Sequence, residues 1–122
     1  MVKDTDTIDF VKHVSIVIFR RVFVNKEQML LTLLSEECTE VGQRASKAIR
    51  FGLDEIQKGQ ELTNRERLHQ ELVDIIAVVQ YLNYEYDFDF DFDNIDWKAV
   101  AEKKERIDKY MKYSSELGRV EL

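Results

Sequence analysis

Leu33-Leu34-Ser35-Glu36-Glu37-Cys38-Thr39-Glu40-Val41-Gly42 puts three carboxylates into five positions of a run that otherwise has the pattern of a buried helix. Glu37 and Glu40 are three apart and Glu36 and Glu40 four apart, so on a helix all three project from one arc. At those spacings Cβ atoms lie about 5–6 Å apart, and like charges that close destabilise a helix, the more so if partly buried. A hard divalent cation is the simplest counterweight. A second set, Glu71-Leu72-Val73-Asp74, repeats the three-residue spacing inside another apolar helical run. Two acidic pairs on two amphipathic helices are what the rest of the chain has to accommodate.

Working outward, Met29, Leu30, Leu33, Leu34, Val41, Ala45 and Ile49 follow helical spacing and predict a helix over about 26–50, with Glu37 and Glu40 beside its apolar stripe. Asn25-Lys26-Glu27-Gln28 has the form of its N-terminal cap, and Phe51-Gly52-Leu53 reads as a stop with glycine where φ > 0 is favoured. Residues 52–62 are polar and form a loop, and Thr63-Asn64-Arg65-Glu66 matches a capping box. The next helix runs to about residue 85 with Leu68, Leu72, Ile75, Ile76, Val79, Leu82 and Tyr86 in register. Upstream, Asp6 or Thr7 caps a helix carried by Ile8, Val11, Val14 and Val22 through about residue 23, while downstream Asp93 or Asn94 caps one over about 96–113, followed by a loose tail from Ser114. Zero prolines and four glycines argue against an all-β chain. The expected fold is all-α and resembles a four-helix bundle, in one domain spanning residues 1–122.

Composition narrows the function. With 44% hydrophobic and 34% charged residues the 122-residue chain is globular. A net charge of −6 argues against binding a nucleic-acid backbone. No run approaches the roughly 18 apolar residues of a transmembrane helix, and the start lacks the pattern of a signal peptide, so a soluble cytoplasmic protein is expected, with no membrane partner. Cys38 is the only cysteine, which excludes an intramolecular disulfide, and it reads as a small buried hydrophobe.

Other constellations in the chain have ordinary structural readings. Glu66 and His69 have the Glu-x-x-His spacing of carboxylate-bridged di-iron bundles, but at 100° per residue His69 points about 140° from Asp74, and His13 has no Glu three before it. Asp87-Phe88-Asp89-Phe90-Asp91-Phe92-Asp93 alternates with period two, but no start of a calcium loop places glycine and the ligands together; it reads as an extended aromatic clamp on the bundle. Arg44, Lys47 and Arg50 are equally a solvated face or cations meeting an anionic ligand. The last helix, with Lys98, Lys103, Lys104, Arg106, Lys109 and Lys112, is either balancing its acidic surroundings or reaching a phosphate.

All-carboxylate ligation favours Mg²⁺ or Mn²⁺, and Mg²⁺ commonly holds phosphate oxygens, so a nucleotide polyphosphate is the natural ligand. Such a site supports in-line attack of water on a phosphoryl group with loss of pyrophosphate, Glu36 being placed to orient or deprotonate that water.

Glu36-Glu37-Cys38-Thr39-Glu40 followed by Glu71-Leu72-Val73-Asp74 resembles the signature of the MazG-like, all-α nucleoside triphosphate pyrophosphohydrolases. Lys47-Ala48-Ile49-Arg50-Phe51-Gly52 and Lys109-Tyr110-Met111-Lys112-Tyr113-Ser114 are similar in character, and the resemblance covers roughly residues 25–118; the spacer between the motifs is slightly longer than usual. The resemblance implies Mg²⁺ ligation by Glu37, Glu40, Glu71 and Asp74, with Glu36 either supporting those ligands or acting as general base. It implies substrate contacts from Lys47, Arg50, Asn83, Lys104 and Tyr110, and cleavage between the α- and β-phosphates. It further implies a homodimer or homotetramer, with a slight lean to a purine substrate such as (d)GTP. The alternatives are a phosphoribosyl-ATP pyrophosphohydrolase and a non-catalytic helical oligomerisation module.

Overall fold

A computed structural model describes residues 24–122. They are all-helical, in three helices: α1 (Lys26–Phe51), α2 (Asn64–Tyr86) and α3 (Trp97–Glu116). The expected helix over residues 7–23 lies outside the described residues, and a four-helix bundle is not what the described residues form. The chain divides into two compact units between Asp89 and Phe90, each described by itself. Among the described residues no helix is long and apolar enough to cross a membrane.

The first unit contains the α1–α2 hairpin. On α1 the shielded positions include Leu30, Leu33, Leu34, Glu37, Val41, Arg44, Ala45 and Ala48; on α2 they include Asn64, Arg67, Leu68, Glu71, Ile75, Val78, Val79 and Leu82. Both sets step by three or four residues with the same rhythm, the period of a helix face laid against a partner. Four of the positions inside this register are charged, Glu37, Arg44, Arg67 and Glu71, and Glu37, Arg44 and Glu71 meet at the helix contact. The true stripe is narrower than the apolar pattern suggests. Met29 and Ile49 on α1, and Leu72 and Ile76 on α2, were expected in it but stand exposed on its flanks. Cys38, one residue and so 100° beyond Glu37, is exposed too, not buried as expected. Leu82, at 1% exposure, and Leu30, at 8%, are the buried hydrophobic side chains among the described residues.

Caps and clamps set the register. Asn25 accepts from the Gln28 N–H at 2.8 Å while its own N–H donates to Gln28 Oε1 at 3.0 Å, and Thr63 and Glu66 form the matching box on α2. Gly52 ends α1 with φ 92°, in the left-handed region expected of it. The loop that follows is pinned by Asn64, which is only 2% exposed. Its Nδ2 donates to the Gly52 carbonyl and to Glu55 Oε2, both at 2.8 Å, and its backbone N–H donates to the Glu55 carbonyl at 3.0 Å. Arg65 adds a backbone bond to the Leu53 carbonyl and an ion pair with Asp54 at 3.1 Å. At the open end Lys26 pairs with Glu85. An isolated antiparallel bridge between Ile56 and Thr63 closes the loop, and the described residues contain no strand.

The aspartate–phenylalanine segment is not extended. Asp87, which caps α2, and Asp89 both adopt left-handed backbone (φ 49° and 60°), which breaks the period-two alternation. Phe88 and Phe90 remain about half exposed, and Phe90 meets Phe92 edge-on at 4.9 Å. In the second unit Asp91 Oδ1 accepts from the N–H groups of Asp93 and Asn94, forming a turn before the helix. The N-cap of α3 is Asp96, accepting from Ala99 at 2.9 Å, rather than Asp93 or Asn94. The helix continues past the expected end to Glu116, and Gly118 (φ 67°) turns the chain away. No residue of α3 is buried.

Candidate metal centre

Antiparallel pairing of α1 with α2 carries the two acidic motifs to the same level of the hairpin. Glu37, Glu71 and Asp74 each present an oxygen within 4.8 Å of the other two. Glu71 is buried, Glu37 half-buried and Asp74 exposed, so the cluster opens outward from the helix contact. Glu40 stands on the exposed side, close enough to Glu71 for the two carboxyls to share a proton through a hydrogen bond. That hydrogen bond is the main cause lifting the Glu40 carboxyl above its ordinary range, aided by the charge of Glu71 and by desolvation. Glu37 is lifted chiefly by desolvation, then by the charges of Asp74, Glu71 and Glu36. Crowding by neighbouring carboxylates contributes to both shifts.

One cation already sits against this cluster. Arg44 Nε donates to Glu71 Oε1 at 2.9 Å, and both side chains are largely shielded, at 17% and 10% exposure. Arg44 also draws the Glu40 carboxyl downward, against the upward causes. The sequence leaves Arg44 open between solvent and an anionic ligand; in the structure its partner is Glu71 of the second motif. The signal was available: Arg44 follows Glu37 by seven residues and Glu40 by four, so it shares their helix face.

Two surface hollows flank the cluster. One, of about 320 Å³, is lined by Ser35, Glu36, Thr39, Glu40 and Gln43. The other, of about 520 Å³, is lined by His69, Gln70, Glu71, Val73 and Asp74. Glu36 is exposed and borders the first hollow beside Glu40, outside the group of three.

The remaining expected substrate residues lie elsewhere. Lys47 is half-buried on α1 at the spacing that continues the face of Glu40, whereas the Arg50 guanidinium lies over the Phe51 ring, 5.4 Å from its centroid. Asn83 is half-buried on α2, nine residues past Asp74 and hence about 14 Å further along the axis. Lys104 and Tyr110 belong to α3 in the second unit, where Tyr110, Arg106, Lys109 and Tyr113 line a hollow of about 270 Å³.

The donor set consists of carboxylate oxygens, the chemistry of hard cations. Oxygens bound at about 2.1 Å stand about 3.0 Å apart when adjacent on an octahedron and about 4.2 Å when opposite, so the cluster fits a small cation by drawing its side chains together from within 4.8 Å. No family model, curated protein or solved structure matches this chain.

Proposed function

We propose that this chain is a Mg²⁺-dependent hydrolase of (deoxy)nucleoside triphosphates, cleaving the bond between the α- and β-phosphates to release the nucleoside monophosphate and pyrophosphate. The observation that carries this reading is the meeting of Glu37, Glu71 and Asp74 from two sequence-distant motifs within 4.8 Å. Carboxylates drawn together at a helix contact oppose folding unless a cation joins them. The motif resemblance then supplies the substrate class.

In this reading Glu37, Glu71 and Asp74 would hold Mg²⁺, with Glu40 as a further ligand. When bound, the ion supplies Lewis-acid polarisation and charge neutralisation at the phosphates. Glu36, exposed on the adjoining hollow, orients the attacking water and takes its proton as the α–β anhydride bond breaks. Lys47, on the same face of α1, meets the negative charge of the phosphates. The lean to a purine such as (d)GTP remains part of the proposal, as do a cytoplasmic location and a role in controlling the nucleotide pool. A homodimer or homotetramer is supported by exposed apolar side chains on the hairpin, among them Leu72, Val73 and Ile76 at 46%, 60% and 44% exposure.

The test is a release assay with Mg²⁺ across common NTPs and dNTPs, separating pyrophosphate from orthophosphate. Pyrophosphate plus monophosphate is expected, abolished by Asp74→Asn, a change at an exposed position. Orthophosphate plus diphosphate would reject the bond assignment. Turnover of phosphoribosyl-ATP alone would move the chain to the related enzyme class. No turnover, with melting indifferent to Mg²⁺, would leave a helical binding module.

A further inference from the structure

Glu71 is the most shielded carboxylate of the candidate centre, and Arg44 is the one basic side chain bonded to that centre among the described residues. The contact is made by Nε, at 2.9 Å from Oε1. A single N–H at a defined point on the side chain thus engages one oxygen of Glu71. A carboxylate has two oxygens, and tying one of them to a donor restricts rotation about the terminal bond and so directs the other. Arg44 is itself held in the inward register of α1, seven residues from Glu37, so its position is locked by the same helix contact that positions the carboxylates.

We propose that Arg44 is a positioning residue for the cation centre: its Nε–H orients Glu71 so that the carboxylate presents one oxygen toward Glu37 and Asp74. This rests on the reading of the acidic cluster as a cation site. The guanidinium has two effects of opposite sign. Its hydrogen bond orients a ligand, which strengthens cation binding, and its positive charge repels the cation, which weakens it. Orientation is assigned the larger share because the bond is short, shielded and directional, whereas the cluster opens to water, which screens the charge.

The two effects separate cleanly by substitution. In glutamine the amide nitrogen lies the same number of bonds from the backbone as Nε does in arginine, so Arg44→Gln keeps an N–H donor in place and removes the charge. Arg44→Met removes both. Lysine keeps the charge but moves its donor one bond further out. The experiment is a Mn²⁺ titration of the full chain, followed by electron paramagnetic resonance of the free ion, on the native protein and the three variants, with far-ultraviolet circular dichroism establishing equal helix content. Arg44→Met is expected to weaken Mn²⁺ binding by about 10- to 100-fold, the usual cost of losing a group that orients a ligand. Arg44→Gln is expected to restore most of that affinity, and Arg44→Lys to restore little.

If Arg44→Met and Arg44→Gln both bind Mn²⁺ as tightly as the native chain, or more tightly, Arg44 acts only as a counter-charge and the positioning role is overturned. Equal weakening in both would overturn it as well, because the donor would then not matter. Absence of a Mn²⁺ site in the native chain would remove the cation reading itself, and this role with it. Native binding without nucleotide turnover would reject the proposed reaction and leave the positioning role standing on its own titration.

Discussion

Asn64→Ala tests what sets the register of the hairpin, and through it the meeting of the two acidic motifs. Asn64 is 2% exposed, and its Nδ2 makes two hydrogen bonds of 2.8 Å, one to the Gly52 carbonyl at the end of α1 and one to the Glu55 carboxylate. A neutral hydrogen bond contributes about 0.5–1.5 kcal/mol and one to a charged group about 1.5–3 kcal/mol. Alanine removes both and leaves their acceptors short of a donor, so the expected loss is roughly 2–4 kcal/mol. At about 4 °C per kcal/mol for a chain of this size, the melting temperature should fall by roughly 8–16 °C. The assay is thermal unfolding by circular dichroism at low protein concentration. Asn64→Asp is the sharper comparison: it keeps the shape, lacks the N–H donors and faces a second carboxylate with Glu55, so it should be at least as damaging. A fall of under about 2 °C in both variants would refute the argument, because the loop would then be held by its backbone bonds alone.

The hairpin's packing and its acidic cluster yield two further expectations. Leu82→Ala, at the 1% exposed side chain of α2, should cost about 2–5 kcal/mol in urea unfolding, and a loss under 1 kcal/mol would mean that the site is not a packed core. The pH dependence follows from the raised carboxyls of Glu37 and Glu40. The folded chain binds more protons than the unfolded one between the ordinary value of 4.5 and the raised values, so their contribution to stability is fully present below that window and lost as pH rises through it. The native chain should therefore lose stability relative to a Glu37→Gln/Glu40→Gln variant on going from pH 4.5 toward 7, and saturating Mg²⁺ should reverse that loss. A stability difference that does not change with pH would refute it.

Much of the backbone was legible in local patterns. The cap residues Asn25 and Thr63 stand where their motifs placed them, and Gly52 ends α1 in left-handed backbone because no side chain there opposes it. These signals are read within a few residues, so tertiary contacts do not alter them. Apolar periodicity was less exact. A 3.6-residue period identifies a face but not its width, and Leu72, Ile76 and Ile49 fell outside the stripe that α1 and α2 actually share. The aspartate–phenylalanine segment misled for a related reason: alternation indicates a strand only while every residue keeps extended backbone, and Asp87 and Asp89 do not.

The carboxylate motifs identified the candidate centre from sequence alone, because three- and four-residue spacings dictate a shared helix face. What they left open was which members would meet. Only the packing of α2 against α1 selected Glu37, Glu71 and Asp74 as the close group, left Glu40 outside it beside Glu71, and set Arg44 against the buried carboxylate. It also made Asn64 the clamp of the loop, although nothing about an asparagine one residue past a capping threonine announces that role. Spacing along a helix depends on one chain segment and is written in the sequence. The distance between two helices depends on register and side-chain packing, which exist only once both are folded together.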